Sequence, residues 1–482
     1  MRVLEHLEPK SVLSFFEDLC AIPHGSGNTK AISDYCVKFA QSRGLEVHQD
    51  GLNNVVIVKP ATPGYEAAPT VILQGHLDMV AEKMPESPID FLKDGLELAV
   101  DGDFIYAKGT TLGGDDGIAV AMALAVLDAD DLAHPRLECL FTVDEETGMD
   151  GAVGFDASIL QGKRLLNIDS EEEGILTVSC AGGAHAAVRI PMTRNECALK
   201  SAEIRISGLK GGHSGAEIDK GRANATITLG RVLQALVDEL EIRLVSAEGG
   251  LKDNAIPNAA RAVIALEDGK MTRAQEICAE MQETLRKEYA AADPGVSVSF
   301  APGKITDRAL SLHDTKRVCC FLNLYPNGIE SMSMDIPGLV QTSCNLGIFK
   351  LDETGLQGSG SVRSSVASRK QMLLRKIRLL AEGLDGTLCV SGEYPAWEYR
   401  RESHLRDVMC SVYQKQYGAE MKVEAIHAGL ECGLFCGKIP GLDAVSFGPN
   451  LYDIHTTAER MSVSSVQRVY GYLCAVLREL KN

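Results

Sequence analysis

Apolar positions along the chain fall into short runs and longer periodic stretches, and the two alternate. From Pro9 to Cys20 they recur at helical spacing (Val12, Leu13, Phe15, Phe16, Leu19), with a proline suited to a first turn, and Thr29 to Ser42 repeats the pattern. Leu45 to Gln49 and Asn54 to Lys59 read as strands flanking the turn at Asp50-Gly51. The run Val71-Ile72-Leu73, behind a Pro-Thr boundary, predicts a buried strand in which Gly75 lets the backbone turn out of the sheet at His76. Ile105 to Lys108, Leu137 to Val143 and Leu165 to Ile168 are further strands, and Ile118 to Asp128 is an alanine-rich helix. This alternation predicts an α/β fold, a mainly parallel sheet with helices on both faces. Ligands of such a sheet sit beyond the carboxyl ends of its strands.

From about Gly182 the pattern changes to α+β. Ala202 to Ser207, Ala260 to Leu266 and Val296 to Phe300 read as strands, and Ala223 to Leu244 and Arg273 to Tyr289 as helices. A similar succession recurs with helices near Asp314 to Leu322 and from Arg369 to Gly383, and strands around Gln341 to Phe349. After Trp397 the first pattern returns: a helix over Ser403 to Tyr417, a strand over Lys422 to Ile426, a short helix over Leu430 to Cys436, a strand over Leu442 to Phe447, and a closing helix over Val463 to Leu480. The reading is a catalytic domain in two segments, 1–182 and 397–482, interrupted by an inserted α+β lid domain of two halves, 183–396. It puts His455 on the same sheet as His76.

Charge and cysteine usage narrow the function classes. The chain of 482 residues carries 48 basic against 66 acidic side chains, a formal charge of -18, which argues against nucleic acid as a partner and suits a protein that holds cations. Its 14 cysteines are scattered without a paired framework, which points to reduced thiols in the cytoplasm. The N-terminus lacks a signal-peptide core, and no apolar stretch approaches the ~20 residues of a membrane span, so no membrane partner is expected.

At the predicted strand ends, His76, Glu145, Glu146 and Asp169 gather, with Asp115 after a Gly-Gly turn and His455 late in the chain. Imidazoles and carboxylates in such a set suit divalent metal, and a carboxylate between two ions can bridge them at ~3.5–4 Å. Asp115 is the candidate bridge, held at a helix start where the backbone can be approached closely; Asp116 is read as an N-terminal helix carboxylate. Of the pair Glu145-Glu146, one can bind metal while the other reaches the attacking water as general base. The bland alternatives are a core histidine at a strand end and a solvated acidic turn.

His76-Leu77-Asp78, Gly113-Gly114-Asp115-Asp116-Gly117, Asp144-Glu145-Glu146-Thr147-Gly148, Asn167-Ile168-Asp169-Ser170 and Asp453-Ile454-His455 resemble, in order and type, the co-catalytic zinc aminopeptidase and carboxypeptidase superfamily, and within it the aminoacyl-histidine dipeptidases (Xaa-His dipeptidases). The likeness runs essentially the whole length, including Ile22-Pro23-His24-Gly25-Ser26-Gly27-Asn28 and His427-Ala428-Gly429-Leu430-Glu431-Cys432-Gly433. The resemblance implies two divalent ions, Zn2+ first with Mn2+ or Co2+ as alternatives. One would be held by His76 and Asp169 and the other by Glu146 and His455, with Asp115 bridging. It makes Asp78 the carboxylate behind His76, Glu145 the general base, and His213, in Gly211-Gly212-His213-Ser214-Gly215, the lid residue that steadies the oxyanion. Asn224 and Arg363 are candidates for the substrate's terminal carboxylate, since Arg suits bidentate carboxylate binding, and Glu431 for its free amine.

The function expected is that of a metallo-dipeptidase acting on small peptides, preferentially Xaa-His (carnosine-like). The alternatives are a broader dipeptidase or tripeptidase, an N-acyl amino acid amidohydrolase on the same scaffold, and a metal-binding protein without activity. A homodimer is compatible with the sequence, but the two-halved insertion predicts that His213 serves its own chain.

Overall fold

The computed structural model describes residues 2–481, which divide into two compact units. Of the described residues, the first comprises 2–179, 399–425 and 430–481, and the second 180–398 and 426–429.

The first unit is built on an eight-stranded sheet. In spatial order its strands are Glu46–Gln49, Val55–Lys59, Leu137–Thr142, Val71–His76, Arg164–Asn167, Asp443–Ser446, Ile175–Cys180 and Lys422–Ile426. Its centre is parallel: Val71–His76 pairs in parallel with both Leu137–Thr142 and Arg164–Asn167, and Asp443–Ser446 in parallel with Arg164–Asn167. The strands added outside are antiparallel, as at Glu46–Gln49 with Val55–Lys59. Val71–His76 and Leu137–Thr142 are buried at every position, so neither shows the alternation of a strand with one face in water. The Gly114–Asp128 helix packs on Val71–His76 and on the Lys10–Cys20 helix, and nearly all its residues are buried, which explains its all-alanine-and-aliphatic composition.

His455 is not on this sheet. After Asp443–Ser446 the chain enters a separate four-stranded sheet, and His455 lies in the loop between its strands Leu451–Tyr452 and Arg460–Ser462, which pair antiparallel. Sequence order suggested one sheet because a single strand precedes the histidine; the short strands between lacked an apolar run to mark them.

The second unit has a nine-stranded antiparallel sheet over a large apolar core, with Gly328–Met332 pairing beside Val340–Asp352 in addition to two groups of four strands. Four strands, Arg243–Gly249, Ala260–Leu266, Arg194–Ser207 and Ser297–Leu310, lie side by side in that order. Val340–Asp352, Gly355–Ser364, Gly182–Ile190 and Thr387–Tyr394 repeat the arrangement, each group carrying two helices at equivalent points of its chain. Arg243–Gly249 pairs with Val340–Asp352 and joins the groups into one sheet. The halves are therefore nested: Gly182–Ile190 belongs to the second group, and the entire first group is inserted after it. The helix expected over Ala223 to Leu244 ends at Glu239, and Arg243 begins a strand. Leu240, Ile242 and Leu244 alternate with Glu241 and Arg243, a period of two that marks the change.

Candidate active site

Three neighbouring strands of the parallel centre leave the sheet side by side. His76 closes Val71–His76, Glu145 and Glu146 follow Leu137–Thr142, and Asp169 follows Arg164–Asn167. Asp115 reaches them from the start of Gly114–Asp128, where Asp115 and Asp116 have non-helical backbone angles and share a cis peptide bond. One oxygen of Asp115, Oδ1, lies 3.1 Å from His76 Nε2, and the other, Oδ2, lies 3.1 Å from His455 Nε2. His455 Nε2 is also 2.9 Å from Glu146 Oε1, and His76 Nε2 is 3.8 Å from Asp169 Oδ1. Potential ligand atoms accordingly converge in the sets His76, Asp116, Asp169; His76, Glu145, Glu146; and Asp115, Glu146, His455.

Burial and close approach shift the acidities of these groups against one another. Burial pushes the Asp169 carboxyl well up, and Asp116 adds to it; burial, then Glu146, Asp115 and Asp78, push Glu145 up to about 7. Against its burial, His76 is held well above the ordinary imidazole range by Asp115, Asp78 and Asp169, while Asp115 and Glu146 hold His455 up to about 10. A nitrogen and oxygen donor set of this kind, with one carboxylate shared between two imidazoles, fits divalent cations.

Asp78 does more than stand behind His76. The His76 Nδ1 lies 3.0 Å from the backbone carbonyl of Asp78, and 3.5 Å from its Oδ1. The carboxylate accepts the Glu145 N–H at 3.1 Å, the Glu146 N–H at 3.4 Å and the Ser26 hydroxyl at 2.8 Å. It therefore fixes both the ring and the start of the Glu145-Glu146 turn. Gly75 stays within its strand, and its need is steric: a Cβ there would lie 2.6 Å from Asp116 Oδ2 and 2.7 Å from Ala119 Cβ. Asp116, buried, accepts the His76 backbone N–H at 3.1 Å.

Residues 72–479 match the profile of Peptidase family M20/M25/M40. The chain belongs to this family. It is similar to the cytosol non-specific dipeptidase of Escherichia coli (strain K12), 35% identical over 482 residues that cover 100% of this chain and 99% of that protein. Among solved structures it resembles aminoacylhistidine dipeptidase from Vibrio alginolyticus, with a TM-score of 0.95 at 36% identity over 99% of this chain and 98% of that one. Aminopeptidase PepT from Bacillus cereus ATCC 10987 shares the fold, with a TM-score of 0.56 at 16% identity over 99% and 100% of the two chains.

In this family member, Glu431 is fully buried beneath the strand ends. Its Oε2 accepts from Gln74 Nε2 at 2.6 Å and from Thr142 Oγ1 at 2.8 Å, while Oε1 has no hydrogen-bond partner among the described residues. Burial, then Glu145, pushes it up to about 8. Sequence reasoning gave no role to Gln74 or Thr142, to Ser26 within the stretch 22–28, or to Glu459. The Glu459 carboxylate accepts the backbone N–H groups of Leu112, Gly113, Gly114 and Asp115. Partners that are all backbone leave no trace in sequence.

The second unit holds the remaining candidates. His213 pairs through the two-residue strand Gly212–His213 with Ala255–Ile256. Its Nδ1 accepts N–H from Ala216 at 3.0 Å and Gly215 at 3.3 Å, so the neutral ring carries its proton on Nε2. Burial, then Arg363, lowers its pKa, which favours that neutral form. Arg363 donates to the Tyr394 hydroxyl at 3.1 Å, and its Nε has no hydrogen-bond partner among the described residues. A Cβ on Gly215 would stand 3.0 Å from His213 Cε1 and 3.2 Å from Arg363 Nε, so both side chains close on the same glycine. Asn224 caps Ala225–Glu239 through Oδ1, and its Nδ2 donates to Asn327 Oδ1 at 3.0 Å, Asn345 Oδ1 at 3.2 Å and Leu346 O at 3.0 Å.

Proposed function

We propose that this M20 family member is a di-metal dipeptidase, with zinc as the metal, that cleaves Xaa-His substrates in preference to others. The observation that carries the reading is the sharing of Asp115, one oxygen toward each imidazole. His76 and Asp169 would hold one ion, Glu146 and His455 the other, and Asp115 both. Ions bound there would supply a Lewis acid for the scissile carbonyl and lower the pKa of water.

The chain's own residues would do the rest. Glu145, held by its backbone N–H on Asp78, takes the proton from the attacking water and returns it to the leaving amine. The Nε2–H of His213 is the donor for the oxyanion, and the guanidinium of Arg363 is the partner for a terminal carboxylate. The unpartnered Oε1 of Glu431 is the acceptor for a free amine.

The experiment is a panel of carnosine, Ala-His, Ala-Leu, a tripeptide and an acylated amino acid, with metal analysis on the same sample. Two ions per chain and the highest kcat/KM on the histidine dipeptides are expected. Equal rates on Ala-His and Ala-Leu would replace the histidine preference with a broad dipeptidase, the reading that the name of the Escherichia coli relative favours. A sample loaded with two zinc ions but inert on every substrate would overturn the activity.

A further inference from the structure

We infer that Glu459 is a positioning residue for the metal centre: its carboxylate sets the backbone of 112–115 so that the two oxygens of Asp115 face His76 and His455. The inference rests on the two-metal reading above.

Four successive N–H groups point at one carboxylate. Leu112 N lies 2.7 Å and Gly113 N 3.1 Å from Oε2, and Gly114 N 2.9 Å and Asp115 N 3.4 Å from Oε1. Glu459 is 3% exposed, so the anion is desolvated and depends on those donors. The segment it holds is irregular: Gly113 is left-handed at φ 67°, and Asp115 and Asp116 have non-helical backbone angles. Without a clamp, nothing in local propensity would select the Asp115 orientation. The glycine pair before Asp115 also gains a second reason, since a Cβ on Gly114 would sit 3.2 Å from Glu459 Oε1.

The clamp links two ligands. Glu459 ends the same loop that carries His455, its N–H donating to Thr456 O at 3.2 Å, so one short hairpin supplies a histidine and anchors the carboxylate that histidine faces. Loss of the clamp would let Asp115 and His455 move independently, at the cost of the shared geometry. Supporting residues of this kind typically contribute 10- to 100-fold to metal affinity or activity.

Zinc affinity is measured by competition with a fluorescent chelator on the full chain, together with kcat, KM and the thermal midpoint of the metal-free protein. The variants are Glu459→Gln, Glu459→Asp and Glu138→Gln. Glu138 is a matched control: 1% exposed, it also accepts backbone N–H groups, from Gln161 and Gly162 at 3.0 Å, at the opposite end of its strand from Glu145. Gln at 459 retains one oxygen acceptor, and Asp keeps the charge but shortens the reach, so either reads out the clamp if the other folds poorly. Expected for both is a 10- to 100-fold weaker affinity for at least one ion and a fall in kcat larger than any change in KM, with Glu138→Gln binding as wild type. Wild-type affinity and kcat in the Glu459 variants would overturn the inference, as would an equal affinity loss in Glu138→Gln. Failure of the wild type itself to take two ions would instead overturn the two-metal reading.

Discussion

A carboxylate buried among others does not keep an ordinary acidity, and Glu145 is pushed up to about 7 by burial, then by Glu146, Asp115 and Asp78. That environment suits a group that must accept a proton and give it back near neutrality. Glu145→Gln is therefore expected to lower kcat by about 10²- to 10⁴-fold, with both zinc ions still bound by metal analysis; full activity in a zinc-loaded variant would remove the base assignment. In the second unit, His427 is the counterpart for stability. Its Nε2 lies 2.7 Å from the Ser343 hydroxyl, and burial, then Arg363, lowers its pKa to about 4 from 6.5. Because the folded value is the lower one, this group's contribution is complete above pH 6.5 and is lost as pH falls toward 4, where the unfolded chain binds the proton and the folded one does not. Urea unfolding of chelator-treated protein between pH 7 and 4 should show wild type losing roughly 3 kcal/mol more than His427→Gln. Parallel curves would disprove the assignment.

Elements set where these side chains can stand. The Gly114–Asp128 helix approaches Val71–His76 so closely that Gly75 admits no methyl, and Gly75→Ala is expected to cost about 1–3 kcal/mol by overpacking, read as a lower denaturation midpoint. Asn224 has a structural use of its own: its bonds cap a helix and tie Ala225–Glu239 to the Val340–Asp352 strand. Asn224→Ala should lower stability by about 1–3 kcal/mol, from the lost cap and the groups left unpaired, while KM stays at the wild-type value in the folded fraction. A large rise in KM without loss of stability would support the substrate role. Strands were legible where an apolar run stands between turn residues, as at Val71–His76, whereas the buried strand Ile175–Cys180 was not read from the sequence; the helix end at Glu239 was missed because the apolar residues beyond it extend a helical pattern and a strand pattern alike.

For the whole molecule, the nested repeat in the second unit bears on assembly. The second half is complete only with Gly182–Ile190, which precedes the whole first half in the same chain, and His213 and Arg363 come one from each half. His213 is accordingly expected to act within its own chain: mixing His213→Ala with Glu145→Gln should restore no activity, and recovery toward a quarter or a half of wild type would show exchange between chains. Among the described residues, no helix is long and apolar enough to cross a membrane. The sequence by itself determined the ligand types, their order, and the alternation of strand and helix that puts His76, Glu145, Glu146 and Asp169 at strand ends, because buried strands and their polar exits are written in local hydrophobicity. Only the tertiary structure decided that His455 comes from a second sheet, that Asp115 offers one oxygen to each histidine, that Asn224 caps a helix, and that Glu459 holds the loop before Asp115. Those facts depend on backbone donors and on contacts between segments hundreds of residues apart, and neither leaves a periodic mark on the chain.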